Sequence, residues 1–142
     1  MSMKRLVLFS VAWWMLIAVE VGTVGAIPGL ASKTEHGFVL TTVGIVVHFA
    51  LTALVSGALA FGYVRRKGKP DFQAFPLAVS IVITGLALDA LLTVPLFVKD
   101  FGAYFGKWTV WAGYVLAFGV VAAVGNIRAR SSMVLPQEGI AS

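Results

Sequence analysis

The sequence predicts an all-α bundle of four membrane-spanning helices, and three observations carry that prediction. Apolar residues fill 59% of the 142 positions and charged residues only 12%, against roughly 45–50% and about 25% in soluble domains. Four apolar runs, each near the ~20 residues that cross a ~30 Å hydrocarbon layer, take up most of the chain. The polar interruptions between them are short, and most of the basic residues sit in alternate interruptions. A chain of this length holds one domain and is too short for two with separate cores.

The first span is expected over residues 6–27. Pro28-Gly29 ends it, because proline disfavours helix in the residue before it and glycine accepts the turn. The basic start, Lys4-Arg5, followed by an apolar run imitates a secretory signal. The run continues past Glu20, well beyond the ~7–15 apolar residues of such a signal, so a retained helix is expected. A short loop over 31–36 leads to a second span at 38–64, which stops at Arg65-Arg66-Lys67-Gly68-Lys69-Pro70. The third span, 75–98, admits Pro76 in its first turn, and Pro95 should kink its far end. After a loop holding Gly102 and Gly106, the fourth span covers 108–127. The membrane domain is thus residues 1–130, followed by a disordered tail at 131–142.

The formal charge of +5 would suit nucleic acid in a soluble protein. Here topology explains it. Lys4, Arg5, Arg65, Arg66, Lys67, Lys69, Arg128 and Arg130 fall on one side of this layout, and Lys33, Lys99 and Lys107 on the other. The positive-inside rule then puts both termini and the middle loop in the cytoplasm, in a bacterial inner membrane, with the lipid bilayer as partner and no nucleic acid. The basic loop could also attract anionic lipid, but orientation alone accounts for it. An absence of cysteine excludes disulfides and thiolate chemistry.

Phe101, Tyr104, Phe105, Trp108 and Trp111 cluster at the outer boundary and read as an interfacial aromatic belt. An outer vestibule for a hydrophobic or cationic ligand is the alternative. Glycines 22, 25, 29, 44, 57, 62, 113, 119 and 125 read as points of close helix approach. Gly25-x-x-x-Gly29 has the letters of a dimer motif, but Pro28 spoils it. The order Glu20, Thr23-Val24, Pro28, Lys33 is echoed by Asp89, Thr93-Val94, Pro95, Lys99. Such an echo would make two parallel hairpin repeats related by an axis along the membrane normal.

Three ionisable residues fall inside spans, where a lipid-exposed charge costs roughly 2.5–3.5 kcal/mol or more. They are Glu20, His48 and Asp89. At a rise of 1.5 Å per residue, Glu20 and Asp89 lie at matched depth and His48 about one turn below them. One polar cluster is expected, with Thr23, Thr52, Thr84 and Thr93 as hydroxyl partners. Its functional reading is proton exchange at Glu20 or Asp89 with competition from a cation. Its structural reading is interhelical glue, with the acids neutral or paired with His48, or Asp89 simply bonded to a nearby threonine such as Thr93 one turn on. No ligand spacing supports a metal, two placed histidines for haem are missing, and His36 with Glu35 reads as a solvated loop pair. No cofactor and no catalytic residue is expected, since no phosphate loop, GxSxG or HExxH motif is present.

Ala18-Val19-Glu20-Val21-Gly22-Thr23 resembles the first helix of small multidrug resistance transporters. That resemblance covers one helix and implies that Glu20 is the shared proton and cation site of a dimeric exporter. This chain is longer than that family, has a longer basic middle loop, carries Asp89 and His48 in addition, and lacks the family's Trp-containing third-helix motif. The region from Leu88 to Phe97 and on through Trp108 to Tyr114 is similar to small bacterial four-helix membrane proteins, which implies no activity. The function expected is a proton- or cation-coupled transporter acting as a homo-oligomer. The alternative is an accessory or scaffold subunit held among other membrane subunits.

Overall fold

The computed structural model describes residues 3–35, 37–64 and 71–133. The basic connector at 65–70, His36 and the tail beyond 133 lie outside the described residues. Four long helices are present, as expected: α1 (Met3–Ala26), α2 (Thr42–Tyr63), α3 (Asp71–Leu88) continued by a π-helical segment (Asp89–Val98), and α5 (Trp108–Met133). Each is long and apolar enough to cross a membrane. Helix α5 runs through Met133, so the first residues read as tail are helical.

Two connections hold more structure than was expected. Between α1 and α2 the chain forms an antiparallel hairpin, β1 (Ala31–Thr34) and β2 (Gly37–Leu40), with Ala31 opposite Leu40 and Thr34 opposite Gly37. Phe38–Leu40, read as the start of the second span, are therefore strand. The reason lies at Thr41, whose hydroxyl accepts from the Gly44 amide at 3.2 Å and so begins the helix later, at Thr42. Thr41 also donates from its amide to the Leu30 carbonyl at 2.9 Å and from its hydroxyl to that of Gly29 at 2.9 Å. Those bonds clamp the hairpin onto the helix start. Between the π-helical segment and α5 lies a short helix, α4 (Phe101–Phe105), capped by the Asp100 carboxylate, which accepts from the Ala103 amide at 2.9 Å.

Pro95 lies inside a stretch where the helix changes its hydrogen-bond spacing. An α-helical turn would press the proline ring on the carbonyl four residues back. The chain instead widens to the five-residue spacing of a π-helix over Asp89–Val98. The Lys99 amide closes that spacing on the Val94 carbonyl at 2.6 Å, and Lys99 turns left-handed at φ 62° to end it.

The helices form a four-sided ring in which α1 touches α2 and α3, while α5 touches α3 and α2. Like-directed helices are thus neighbours. A two-fold axis along the membrane normal, required by parallel hairpin repeats, would set α1 and α3 across a diagonal. The echo between the hairpins has no counterpart in this arrangement. Residues Leu77, Ile81, Ala117, Val121, Ala60 and Trp13 fill the ring. On α2 the buried positions are Gly44, His48, Thr52, Ser56, Ala60 and Tyr63; the first five recur every four residues and put three polar side chains on the inward face.

The α1–α2 seam is tied at three levels, about two helical turns apart. Arg5 donates to the Tyr63 carbonyl at 2.8 Å, the Trp13 indole to the Ser56 hydroxyl at 2.8 Å, and Glu20 meets His48 at 2.9 Å. Arg128 joins Arg5 at the end of α2, donating to the Val64 carbonyl with its guanidinium 3.7 Å from the Phe61 ring centre. Cations at a helix C-terminus meet the partial negative charge of its free carbonyls.

A Cβ at Gly44 would run into the Leu30 carbonyl, the acceptor of the Thr41 clamp. Gly44→Ala is expected to destabilise the protein by about 1–3 kcal/mol, the usual cost of overpacking. Unfolding in mixed micelles would measure it, with faster hydrogen exchange at the Thr41 amide as the local sign.

Candidate functional site

The three intramembrane ionisable residues form two groups rather than the single cluster expected. Glu20 and His48 make one, and Asp89 is the centre of the other. Asp89 lies at the first residue of the π-helical segment and is 6% exposed. Its Oδ1 accepts from the Trp14 indole at 2.9 Å and the Thr93 hydroxyl at 2.8 Å. Its Oδ2 accepts from the hydroxyls of Tyr104 at 2.7 Å and Tyr114 at 2.6 Å. Two donors on each oxygen occupy the in-plane lone pairs of a carboxylate. The four come from α1, the π-helical segment, α4 and α5, so one side chain ties four elements together.

Sequence reasoning found Thr93 as a partner and missed the other three. Tyr104 read as a member of the aromatic belt, yet its hydroxyl turns inward. Burial, followed by the charge and hydrogen bond of Asp89, pushes the Tyr104 phenol well above its ordinary range, which keeps it a donor. Gly85, absent from the expected packing glycines, makes room for Tyr114: a Cβ there would lie 2.6 Å from the Tyr114 ring and 2.8 Å from its hydroxyl. The signal for these partners is chemical, since a tyrosine or tryptophan inside a span needs somewhere to put its proton.

Glu20 and His48 face each other across the α1–α2 seam, with Oε2 and Nδ1 2.9 Å apart and side chains only 7% and 11% exposed. The donors to Asp89 are Trp14, Thr93, Tyr104 and Tyr114, and His48 is not among them. The other ring nitrogen of His48 faces Gly113 on α5, where an added Cβ would be 3.8 Å from it. Glu20 is less completely satisfied than Asp89. Its Oε1 is buried with no hydrogen-bond partner, and so is Oγ1 of Thr52, one turn from His48 on the same face of α2. Thr23, the remaining hydroxyl expected near Glu20, donates to the Val19 carbonyl of its own helix at 2.7 Å. Thr84 is half-buried on α3 and is not among the donors to Asp89. No group of three or more His, Cys, Asp or Glu suited to a metal occurs among the described residues.

The fold and these buried groups define an all-α, multi-pass membrane protein. Compared with protein-family models, with curated proteins and with solved structures, the chain matches none.

Tyr114→Phe leaves Oδ2 of Asp89 with one donor and is expected to cost about 1–3 kcal/mol in unfolding experiments, the usual effect of orphaning part of a buried charged acceptor. Tyr104 adds a pH dependence whose sign follows from its raised pKa. Its proton is retained in the folded protein and lost from the unfolded chain near the ordinary value of 10.0, so its contribution holds below that pH and declines above it. Tyr104→Phe should therefore flatten the loss of stability on alkaline titration past pH ~10.

Proposed function

We propose that the protein is a small proton-coupled carrier of the bacterial inner membrane that acts as an oligomer, with Glu20 as its proton-binding group and His48 as the partner of the ionised form. The observation carrying this reading is the contrast between the two buried acids. Asp89 has every acceptor position filled by neutral donors, which suits a fixed structural anion. Glu20 keeps one buried oxygen without a partner while the other meets an imidazole. A proton can be taken up at such an oxygen without dismantling a network, and the imidazole offers the alternative charge partner. The roles given to these acids are thus unequal: exchange at Glu20, anchorage at Asp89.

The packed interior is what supports an oligomer in this reading. Leu77, Ile81 and Val121 are fully buried between the helices, so a pathway for a solute would lie between copies of the chain. Orientation with both termini in the cytoplasm follows the positive-inside rule.

Reconstitution into phosphatidylethanolamine–phosphatidylglycerol vesicles with an internal pH-sensitive dye tests the assignment. Wild-type protein is expected to carry protons down an imposed gradient, Glu20→Gln to abolish that flux with little loss of thermal stability, and Asp89→Asn to lose stability instead. Wild-type vesicles no more permeable than those holding Glu20→Gln would overturn it and leave the accessory-subunit reading in its place.

A further inference from the structure

Basic residues gather where α2 ends. Lys4 and Arg5 lie in the first turn of α1, Arg128 closes the fourth span, and the chain runs from Val64 directly into Arg65-Arg66-Lys67-Gly68-Lys69. The positive-inside rule accounts for the side of the membrane on which such residues lie. It does not account for where the guanidiniums of Arg5 and Arg128 go. Both residues are half-buried, and both turn onto the free carbonyls of α2. Arg5 donates through Nη2 to the Tyr63 carbonyl at 2.8 Å and at longer range, 3.4 Å, to that of Gly62, while Arg128 donates through Nη1 to the next carbonyl, Val64. Aromatic faces hold them there: the Arg5 guanidinium lies 4.7 Å from the Tyr63 ring centre and 5.6 Å from that of Phe9, and Arg128 lies over Phe61.

The charges at this end do not balance within the helix. A helix C-terminus carries about half a negative charge, against the two full positive charges drawn to it. The place is partly dehydrated, so water screens the surplus less than it would in solution. Among the described residues no carboxylate pairs with Arg5. A guanidinium has five N–H donors in a flat fork. Arg5 meets α2 through Nη2 alone, and its Nη1 and Nε donate to no described residue. Phosphate, with several acceptor oxygens and a full charge, is the group that such a fork suits best. The membrane brings phosphate to this level. Phe61, beneath Arg128, is 58% exposed, and Ile127, next to Arg128 in the chain, is 64% exposed. Both present apolar surface where acyl chains run below a headgroup.

We propose that an anionic phospholipid binds at the carboxyl end of α2, with its phosphate on Arg5 beside Arg128 and its acyl chains along Phe61 and Ile127. The bound phosphate completes the neutralisation that the helix end begins, and it steadies the tie that Arg5 makes from α1 to α2. The site does not depend on the role given to Glu20.

The test follows the thermal midpoint of the full chain in uncharged detergent micelles at about 0.15 M salt, where attraction between distant charges is screened. Phosphatidylglycerol, phosphatidylcholine or inorganic phosphate is added in turn, since a ligand of the folded state raises the midpoint as its concentration passes Kd. Phosphatidylglycerol should raise it where equal amounts of phosphatidylcholine or inorganic phosphate do not. Arg5→Gln should need about tenfold more phosphatidylglycerol for the same rise, the factor for losing one charge-assisted hydrogen bond. Lys4→Gln removes the same charge from an exposed neighbour and should need much less than that. Arg5→Lys keeps the charge and a donor for the Tyr63 carbonyl, so the fold is retained, but without the fork it should bind the lipid more weakly than wild type. Equal losses in Arg5→Gln and Lys4→Gln, or a wild-type response in Arg5→Lys, overturn the site in favour of diffuse surface charge. A rise from inorganic phosphate equal to that from phosphatidylglycerol overturns the lipid and leaves a free anion as the ligand. No rise from either overturns the proposal altogether.

Discussion

A carboxylate inside a hydrocarbon layer has to be surrounded by donors, and much of this protein is arranged around the one that Asp89 provides. Trp14, Thr93, Tyr104 and Tyr114 converge on it from four elements. Lipid supplies no hydrophobic force between helices, so polar ties and close packing must fix their order. The Asp89 network does so for α1, α5 and the end of the third span, and it also draws the short α4 inward. Gly85 is a dependent of the same network, because its missing side chain is the space Tyr114 needs to reach the carboxylate.

The π-helical segment belongs to this constraint too. Asp89 is its first residue and Thr93, a donor to Asp89, lies within it ahead of Pro95. Widened turns relieve the clash of the proline ring and leave the helix able to end in the left-handed Lys99, from which the chain turns into α4. The Glu20–His48 pair is built more sparingly, from two helices rather than four elements, with one oxygen left open. Where Asp89 is met by four donors, Glu20 has a single side-chain partner, the His48 ring.

Much of the fold was legible because the bilayer makes the signal coarse. Length, apolarity and the placement of Lys and Arg mark four spans without any tertiary knowledge. The boundaries were less legible. Thr41 stops the second span short because its side chain caps the helix, a local preference that continuous hydropathy over Phe38–Leu40 conceals. Pro95 was legible as a disturbance but not as a π-helix, since the outcome depends on the Val94 carbonyl finding the Lys99 amide. The candidate residues Glu20, His48 and Asp89 were legible by cost alone. Their sorting into two groups was not, because it depends on which helices are neighbours, and the repeat suggested by the two acid–proline stretches points to a different ring order. Tyr104 shows the same limit: its sequence position at an interface describes where its backbone lies and not where its hydroxyl goes.

Neighbourhood in the ring also bears on how the chain enters the membrane. Glu20 and His48 come from consecutive spans, so the first hairpin can enclose both as it inserts, before the third span has been made. It therefore meets lipid as a unit whose two buried polar side chains already face each other. Asp89 arrives later and finds Trp14 in place, while Tyr104 and Tyr114 follow it within the next 25 residues of chain. The second hairpin is thus received by a donor from the first, and the burial of its acid becomes the event that joins the two halves.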